Sequence, residues 1–233
     1  MALKPRIDET EYKEKLFSLF PEMSDHCRDL IRQHTTISYM PKGSFIYQEG
    51  ETPKGFICLL EGNAKVVKIG INGRGQIVRM VRPKGILGYR ALFAEENYRS
   101  AAITLDNSVI AVIDRDVLLE IMRENAELSL HILKLIANEL GLSNLRTMTL
   151  TQKYIRGRLA DSLIFLIETY DFAADGTIDV TLSREDLAQL SSMTTSNAIR
   201  TLSAFAGEGV VELVGKRIKV LDLERLKKIS VLG

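Results

Sequence analysis

The segment from Gly85 to Ile103 brings together residue types that can bind an anion. It reads GILGYRALFAEENYRSAAI, with Arg99 and Ser100 near its end. Free backbone amides at a helix start, a guanidinium and a hydroxyl can all donate hydrogen bonds to one negatively charged group. The alternative is that Arg99 forms a surface ion pair with Glu95 or Glu96, which is worth little in water. The segment is therefore a candidate ligand site.

A second group of polar and basic residues lies in the C-terminal third of the chain, in a pattern that suits DNA. Lysine and arginine neutralise phosphates, and arginine and asparagine can also hydrogen-bond to bases. Residues 152–233 contain eleven basic and eleven acidic side chains, so a basic surface requires the acidic loop DFAADGTID to face away. The candidate DNA-contacting residues are Arg184, Thr195, Ser196, Asn197, Arg200, Lys216 and Arg217, with Lys153, Arg156 and Arg158 at the domain entrance.

Composition excludes several classes of protein. The 233 residues can form two domains, and the formal net charge is only +1. Cys27 and Cys58 are too few and too far apart for a disulfide framework or a structural zinc site. The apolar runs are shorter than a membrane span and no secretion signal is present, so we expect a cytoplasmic protein without a membrane partner. No nucleophile, base and orienting group occur together, so we do not expect an enzyme.

The elements that must position the first site are predicted to be strands. Residues 35–113 contain short alternating apolar runs, among them SFIYQEG, GFICLLEG and SVIAVID. Glycines separate these runs, where turns need a positive φ or a close backbone approach. The region is therefore predicted to form an antiparallel roll or barrel that contains the candidate ligand site.

One or two helices with a long apolar stripe, over about residues 116–150, are predicted to follow the roll. Leu128, Leu135 and Leu142 recur every seven residues, the register of a helix that packs along another helix. A second stripe consists of Leu133, Ile136 and Leu140. One stripe could pack on the roll while the other meets a second copy, and the alternative is packing on the roll alone. Gly141 interrupts the helix, which is tolerable where a close approach requires it.

The C-terminal region is predicted to alternate short helices with a hairpin. A hinge is expected near Thr151, where threonines alternate with other residues. Ser183 with Asp186 forms a capping-box pattern for one helix, and Thr194 can cap the next. GVVELVG and KRIKVLD are predicted to form two strands joined by a basic turn. A helix-turn-helix followed by such a hairpin is a winged helix. The predicted shared core of the helix pair is Leu187, Leu190, Ala198, Ile199 and Leu202.

In their order and spacing, these segments resemble the CRP/FNR family of bacterial transcription regulators. The resemblance is carried by the glycine-rich roll, GILGYRALF followed by RSA, the long helix, and LSREDLAQLSSMTTSNAIRTLSAF. It implies an α+β fold with an N-terminal antiparallel β-roll of the cyclic-nucleotide-binding type, a long dimerisation helix and a C-terminal winged helix-turn-helix. The expected domains are residues 1–151, the sensor with the dimerisation helix, and residues 152–233, the DNA-binding domain.

The resemblance also implies a function. We expect a homodimeric, sequence-specific transcription regulator that is controlled by a small-molecule effector in the roll. Its expected partners are double-stranded DNA with a palindromic operator, and RNA polymerase. The alternative is a ligand-binding regulatory subunit without a DNA-binding function.

For the roll, the resemblance implies a phosphate-binding cassette at residues 88–100. Gly88, the turn YRALF and the Arg99–Ser100 pair match positions that grip a cyclic phosphate in the family. Tyr89 stands where the family has a glutamate that holds the ribose, and a phenol cannot offer two charged acceptors. This departure argues against cyclic AMP and leaves a cyclic nucleotide or another small anion as the candidate effector. The implied ligand-binding residues are Gly88, Tyr89, Arg90, Arg99, Ser100, Ser143 and Asn144, the last two as a polar pair that contacts the base.

Other sensing chemistries of the family fit less well. Two cysteines cannot hold an iron–sulfur cluster, which needs four ligands. Haem is not expected from the scattered His26, His34 and His131, and no metal site is expected from His26 with Cys27.

The recognition helix departs from the family at its start. The family carries an Arg–Glu pair there and an arginine one turn later, whereas this chain has Thr195, Ser196 and Asn197, followed by Arg200. The operator is therefore expected to differ from the familiar one. Arg184 matches a phosphate contact, and Ser192 replaces the glycine of the turn, where we expect slight strain.

Overall fold

The computed structural model describes residues 8–20 and 23–232, and the chain divides into two compact units. One unit contains the described residues as far as Lys68 together with Arg79–Leu140. The other contains Ile69–Val78 and the described residues from Gly141 onward.

The first unit is built around the predicted antiparallel roll. The elements of this region are α1 (Glu9–Phe17), α2 (Asp25–Gln33), β1 (Thr35–Met40), β2 (Phe45–Tyr47), β3 (Gly55–Glu61), β4 (Ala64–Ile69), β5 (Gly75–Val81), β6 (Ile86–Leu87), α3 (Tyr89–Phe93), β7 (Ala101–Thr104), β8 (Ser108–Asp114) and α4 (Arg115–Glu124). The last residue of β4 and the first four of β5 belong to the other unit. The sheets have the strand orders β1-β8-β3-β6 and β2-β7-β4-β5, and the pairs of β8 with β1 and β3, and of β7 with β2 and β4, are antiparallel. The fold class predicted for this region is confirmed.

Strand β3 separates two parts of the core. Phe56 and Cys58 belong to the cluster that includes side chains of α1, α2 and α4, whereas Ile57 and Leu59 belong to the cluster inside the roll. Alternate side chains of a strand point to opposite faces, so one strand serves both clusters. A Cβ atom at Gly55 would lie 2.2 Å from the Ile113 carbonyl oxygen of the neighbouring strand β8, so only glycine fits at this position.

Two helices occupy the region of residues 116–150, which is one of the two expected arrangements, and the long helix begins at Ala126 rather than near residue 116. They are α4 (Arg115–Glu124) and α5 (Ala126–Gln152). Asn125 separates them in an extended conformation, with φ −118° and ψ 94°. Its Oδ1 accepts a hydrogen bond from the Leu128 N–H at 2.9 Å. Asparagine side chains compete in this way with the hydrogen bonds of a continuous helix, and they favour the start of a new one.

Helix α5 has one buried and one exposed apolar stripe. Leu128 and Ile132 are buried in the core of the roll unit, with Leu135 and Ile136 partly buried beside them. Ile136 therefore belongs to the buried stripe, and Leu142 to the exposed one, contrary to the grouping by spacing. The exposed stripe consists of Leu130, Leu133, Leu140, Leu142, Leu145 and Met148.

The second unit contains the predicted helix-turn-helix and wing. Its elements after α5 are α6 (Ile155–Tyr170), α7 (Arg184–Leu190), α8 (Thr195–Gly207), β9 (Val211–Val214), β10 (Arg217–Val220) and α9 (Leu223–Leu232). Ser183 and Asp186 form the predicted capping box, and the Thr194 side chain accepts from the Asn197 N–H. None of the helices in residues 8–20 and 23–232 combines the length and apolar content needed to cross a membrane.

The acidic loop lies against β10 of the wing. Thr177 pairs with Lys219 as an isolated β-bridge, and the Ile178 N–H donates to the Ile218 carbonyl at 2.9 Å. Asp175 forms an ion pair with Arg217 at 2.7 Å. The loop thus supports β10 on the side away from β9 and neutralises one of the predicted basic residues.

Ser192 carries the backbone strain that was expected in the turn between α7 and α8. Its φ is 52°, a conformation that favours glycine.

We expect Ser192→Gly to raise the free energy of unfolding by about 1 kcal/mol, because a side chain in this region of backbone conformation costs that amount. Urea denaturation followed by circular dichroism measures the change. The matched control is Ser203→Gly at an exposed position within α8, which should lower stability by roughly 0.5–1 kcal/mol. A loss of stability in Ser192→Gly would contradict the assignment of strain.

Candidate functional site

The N-terminal end of α8 presents an exposed polar surface. Thr195, Ser196 and Arg200 are exposed and Asn197 is half-buried. Arg200 Nη2 donates to Asn197 Oδ1, so the guanidinium and the amide lie side by side. Thr194 caps the helix from below, which leaves its first residues free to meet a ligand. The predicted base-reading residues are thus brought together on one short stretch of helix.

Packing against α7 holds α8 in place and corrects one predicted core residue. Leu187, Leu190, Ala198 and Leu202 are buried, as predicted, whereas Ile199 is 47% exposed. Ile199 follows Thr195 by four residues, so it lies on the outer face between the exposed polar side chains. Ile199 was assigned to the core from the sequence, because an isolated isoleucine next to a buried alanine is compatible with either the buried or the exposed face of the helix.

The wing brings Lys216 and Arg184 close together. Arg184 Nη2 donates to the Gly215 carbonyl at 3.0 Å, and its Nη1 lies 3.4 Å from the Lys216 carbonyl. Lys216 is exposed at the tip of the hairpin, where Gly215 has a φ of 60°. Arg184 therefore supports the turn of the wing from α7, while the Lys216 ammonium group is free to face solvent.

The basic surface is smaller than the list of basic residues predicts. Lys153 pairs with Asp161 at 2.7 Å and Arg156 pairs with Glu208 at 2.9 Å. Glu208 has a lowered pKa, first because Arg156 hydrogen-bonds to it and also because Arg225 lies close. These cations at the domain entrance are engaged within their own unit.

Arg146 is a half-buried cation on α5 that was not identified from the sequence. Its Nη2 donates to the Leu190 carbonyl at the end of α7, at 2.9 Å, and its guanidinium lies 5.6 Å from the centre of the Phe165 ring. Burial lowers its pKa to about 10, because exclusion of water disfavours the charged form. A cation is favourable at a helix C-terminus. Arg146 therefore ties the end of α5 to the helix-turn-helix.

In the roll, the cassette (residues 88–100) begins at a left-handed glycine. Gly88 has a φ of 67° and precedes the one-turn helix α3. A Cβ atom at this position would lie 2.8 Å from Tyr98 Cε1 and 3.0 Å from its hydroxyl. Glycine is therefore required both by the backbone conformation and by the ring of Tyr98.

The two arginines of the cassette bind a carboxylate of the same segment. Arg90 Nη1 and Arg99 Nη2 each donate to Glu96 at 2.9 Å. The pKa of Glu96 is lowered, mainly by the hydrogen bond from Arg90 and then by the nearby charge of Arg99. The Arg99 side chain is 69% exposed. The ion-pair alternative is thus observed for Arg99, and a second arginine shares the pair.

Tyr98 of the cassette packs against Tyr47 of β2, and neither tyrosine was identified from the sequence. Tyr47 and Tyr98 stack with ring centres 3.8 Å apart and an interplanar angle of 18°. Each is only 6% exposed, and both belong to the core cluster inside the roll. Burial raises the pKa of Tyr47, and the Ser100 side chain and the Gly88 backbone partly offset this increase by hydrogen bonding. Burial, with Tyr47 next to it, raises the pKa of Tyr98 to about 12.

Arg79 connects the cassette with α5 within the roll unit. Its Nη1 donates to the Ile86 carbonyl at 2.6 Å, and its Nη2 and Nε lie 2.7 and 2.6 Å from the two carboxylate oxygens of Glu139. Its guanidinium also lies 5.2 Å from the centre of the Tyr89 ring. The Arg79 and Glu139 side chains are 18% and 28% exposed. Tyr89, predicted as a ligand residue, thus packs on an ion pair that reaches α5.

We expect Glu139→Gln to lower the free energy of unfolding by about 1–3 kcal/mol, because it leaves the Arg79 charge partly buried without its carboxylate. Urea denaturation followed by circular dichroism checks the value. Asp29→Asn is the control, since it breaks the exposed Arg32–Asp29 pair and should cost at most about 1 kcal/mol. Equal losses in the two variants would show that the Arg79–Glu139 pair has no special role.

The remaining predicted ligand residues, Ser143 and Asn144, are exposed on α5. They fall in the second compact unit, whereas the cassette falls in the first. Ser143 uses its carbonyl to accept a hydrogen bond from the Thr147 hydroxyl at 3.0 Å.

The described parts of the chain contain neither a cluster of metal-binding side chains nor a disulfide. Residues 8–20 and 23–232 contain no group of three or more histidine, cysteine or carboxylate side chains that could hold a metal ion. Cys27 and Cys58 are buried free thiols.

Comparisons with known proteins agree with this architecture. A family model for the cyclic nucleotide-binding domain matches residues 37–125, and a model for the Crp-like helix-turn-helix domain matches residues 157–229. A CRP-like cAMP-activated global transcriptional regulator from Mycobacterium tuberculosis is 26% identical over 190 residues, covering 81% of this chain and 85% of the relative.

Solved structures share the fold. FixK2 from Bradyrhizobium japonicum has a TM-score of 0.76 at 21% identity, covering 85% of this chain and 98% of that structure. A CRP-family transcriptional regulator from Thermus thermophilus has a TM-score of 0.73 at 22% identity, covering 84% and 97%. The Mycobacterium tuberculosis relative and the Thermus thermophilus structure are named as transcriptional regulators, and the order of the two matched domains is the order observed here. The chain belongs to the CRP/FNR family of DNA-binding transcription regulators.

Proposed function

We propose that this regulator binds an inverted-repeat operator as a homodimer, with one α8 in the major groove of each half-site. The observation that supports this most directly is the exposed start of α8, where Asn197 and Arg200 lie side by side above a well-packed helix pair. Helix-turn-helix proteins place such a helix start against the base edges. The proposed DNA-binding domain is residues 152–233.

Base recognition is assigned to the outer face of α8. Arg200 can donate two hydrogen bonds to guanine, and Asn197 can pair with adenine, each such contact being worth about 1–3 kcal/mol of discrimination. The exposed Ile199 suits the methyl group of thymine, and the Thr195 and Ser196 hydroxyls suit phosphates or bases. Because the Arg–Glu pair of the family is absent from this helix start, the operator sequence should differ from the one that those family members bind.

Phosphate contacts are assigned to the wing. Lys216 at its tip is exposed, and Arg184 holds the turn from below while adding positive charge. Arg217 has a supporting position, because Asp175 neutralises it. This division makes Lys216 the main sequence-independent contact of the wing.

Dimerisation is assigned to the exposed stripe of α5. Leu133 and Leu140 are 61% and 62% exposed, in contrast to Leu128 and Ile132 of the same helix, which are buried in the core. A Cβ atom at Gly141 would meet no atom of its own chain within 4 Å, so nothing within the protomer requires glycine there. A second α5 packed against this stripe would bury the leucines and could use the space at Gly141. The occupant that fits is therefore a second copy of the same chain.

The roll is assigned control over DNA affinity. The Arg79–Glu139 pair joins the cassette to α5, so a change at the cassette could shift the population of α5 geometries in the dimer. The contact of Arg146 with Leu190 would pass such a shift to α7. We place the protein in the cytoplasm, with RNA polymerase as a partner at its target promoters.

The experiment is selection of bound duplexes from random DNA by the purified full-length protein. We expect enrichment of an inverted repeat whose half-sites have centres about 10 base pairs, or about 34 Å, apart. Recovery of unselected sequences, with no motif above background, would instead favour a ligand-binding regulatory subunit without a DNA-binding function.

A further inference from the structure

The interior of the roll at the cassette is filled by side chains of the chain itself. Tyr47 on β2 and Tyr98 near the end of the cassette stack face to face inside the roll, with Leu87, Ala91 and Ala102 in the same cluster. The Gly88 Cα faces the Tyr98 ring so closely that a methyl group there would lie 2.8 Å from Cε1. Well-packed interiors do not admit a further group of nucleotide size without displacing side chains.

The polar groups of the cassette are engaged as well. The Ser100 side chain and the Gly88 backbone hydrogen-bond to the Tyr47 hydroxyl. These two groups are the uncharged donors that were predicted to hold a phosphate. The charged donors Arg90 and Arg99 are both engaged by Glu96. An incoming phosphate would therefore have to displace a buried phenol and compete with an intramolecular carboxylate.

The contacts for a sugar and a base are equally unsuited. Tyr89 packs on the Arg79 guanidinium, which is already held by Glu139 and the Ile86 carbonyl. The ribose hydroxyls would find a phenol in place of a carboxylate at this position. The residues present do not fit a cyclic nucleotide.

We infer that Tyr47, stacked on Tyr98, is a built-in occupant of the cassette, so that the roll binds no cyclic nucleotide and the regulator reaches its DNA-binding form without one. The second half of this statement rests on the proposed function. The first half concerns the roll alone and stands independently of DNA binding.

The first test is calorimetric titration of the full-length protein with cyclic AMP and with cyclic GMP. We expect no saturable heat for the wild-type protein. Tyr47→Phe, which keeps the ring but removes the hydroxyl, should remain folded and also bind neither nucleotide, because the ring still fills the space. Tyr39→Phe, a half-buried tyrosine of β1 in the same unit, is the matched control. Saturable binding of either nucleotide to the wild-type protein would overturn the inference.

The second test measures the affinity for the selected operator by fluorescence anisotropy, with and without a millimolar excess of each nucleotide. We expect tight binding without nucleotide and a change of less than about twofold on its addition. A gain of about tenfold or more would overturn the inference. If the titrations show no nucleotide binding and the protein also fails to bind any DNA, the occupied cassette stands and the proposed function fails, so the two can be told apart.

Discussion

The double substitution Leu133→Glu and Leu140→Glu should convert the regulator into a monomer whose affinity for the full operator is lower by about a hundredfold or more. Both side chains lie on the exposed stripe of α5, so the change does not disturb the core of the protomer. In the proposed dimer, however, four carboxylates would be buried between two helices without partners. Losing the second half-site removes the gain from joint binding, which is typically about 100- to 10,000-fold.

Sedimentation velocity and fluorescence anisotropy measure the two parts of this prediction. Val231→Glu is the matched control, because Val231 is 78% exposed on α9, outside the proposed interface. The control should remain dimeric and bind the operator as the wild-type protein does. A double variant that stays dimeric would show that α5 does not mediate dimerisation.

Replacing Arg200 by alanine should have the second largest effect, a loss of about 1–3 kcal/mol, or about 5- to 150-fold, in operator affinity. The loss should be confined to sequences with the preferred base at one position of each half-site, so that specificity relaxes there. The reason is that the guanidinium, aligned by Asn197, is placed to read a base edge. Selection from random DNA with the variant, compared with the wild-type protein, identifies the relaxed position.

Lys216→Ala provides the contrast. Because this side chain is assigned to a phosphate, its loss should weaken all sequences alike and reduce the dependence of affinity on salt by about one unit of slope. Affinity is measured by anisotropy over a series of salt concentrations. If Arg200→Ala and Lys216→Ala gave the same pattern, the division between base and phosphate contacts would be wrong.

Local sequence signals predicted much of the DNA-binding unit. The capping box at Ser183 and Asp186 and the cap at Thr194 depend only on residues three apart, and both are observed. The strain at Ser192, whose φ is 52°, was expected only from the resemblance to the family, which has a glycine at this position. The antiparallel roll followed from alternating apolar runs and glycine spacing, which are also local.

Features that depend on distant pairs were not readable from the sequence. Tyr47 meets Tyr98 because the register of β2 on β7 sets Tyr47 opposite Ala102, and no local pattern fixes that register. Asp175 and Arg217 pair because the acidic loop adds to β10, which sequence spacing alone does not show. The break at Asn125 was recognisable in principle, since asparagine favours helix starts, but the apolar periodicity continues across it.

The most direct measurement is the number of protein chains bound to a labelled duplex that carries the selected inverted repeat, obtained by sedimentation equilibrium. We expect two chains per duplex, bound in one step, and much weaker binding to a duplex with a single half-site. One chain per duplex, with the same affinity for the half-site as for the full site, would contradict the account of a dimer that presents two α8 helices to successive grooves.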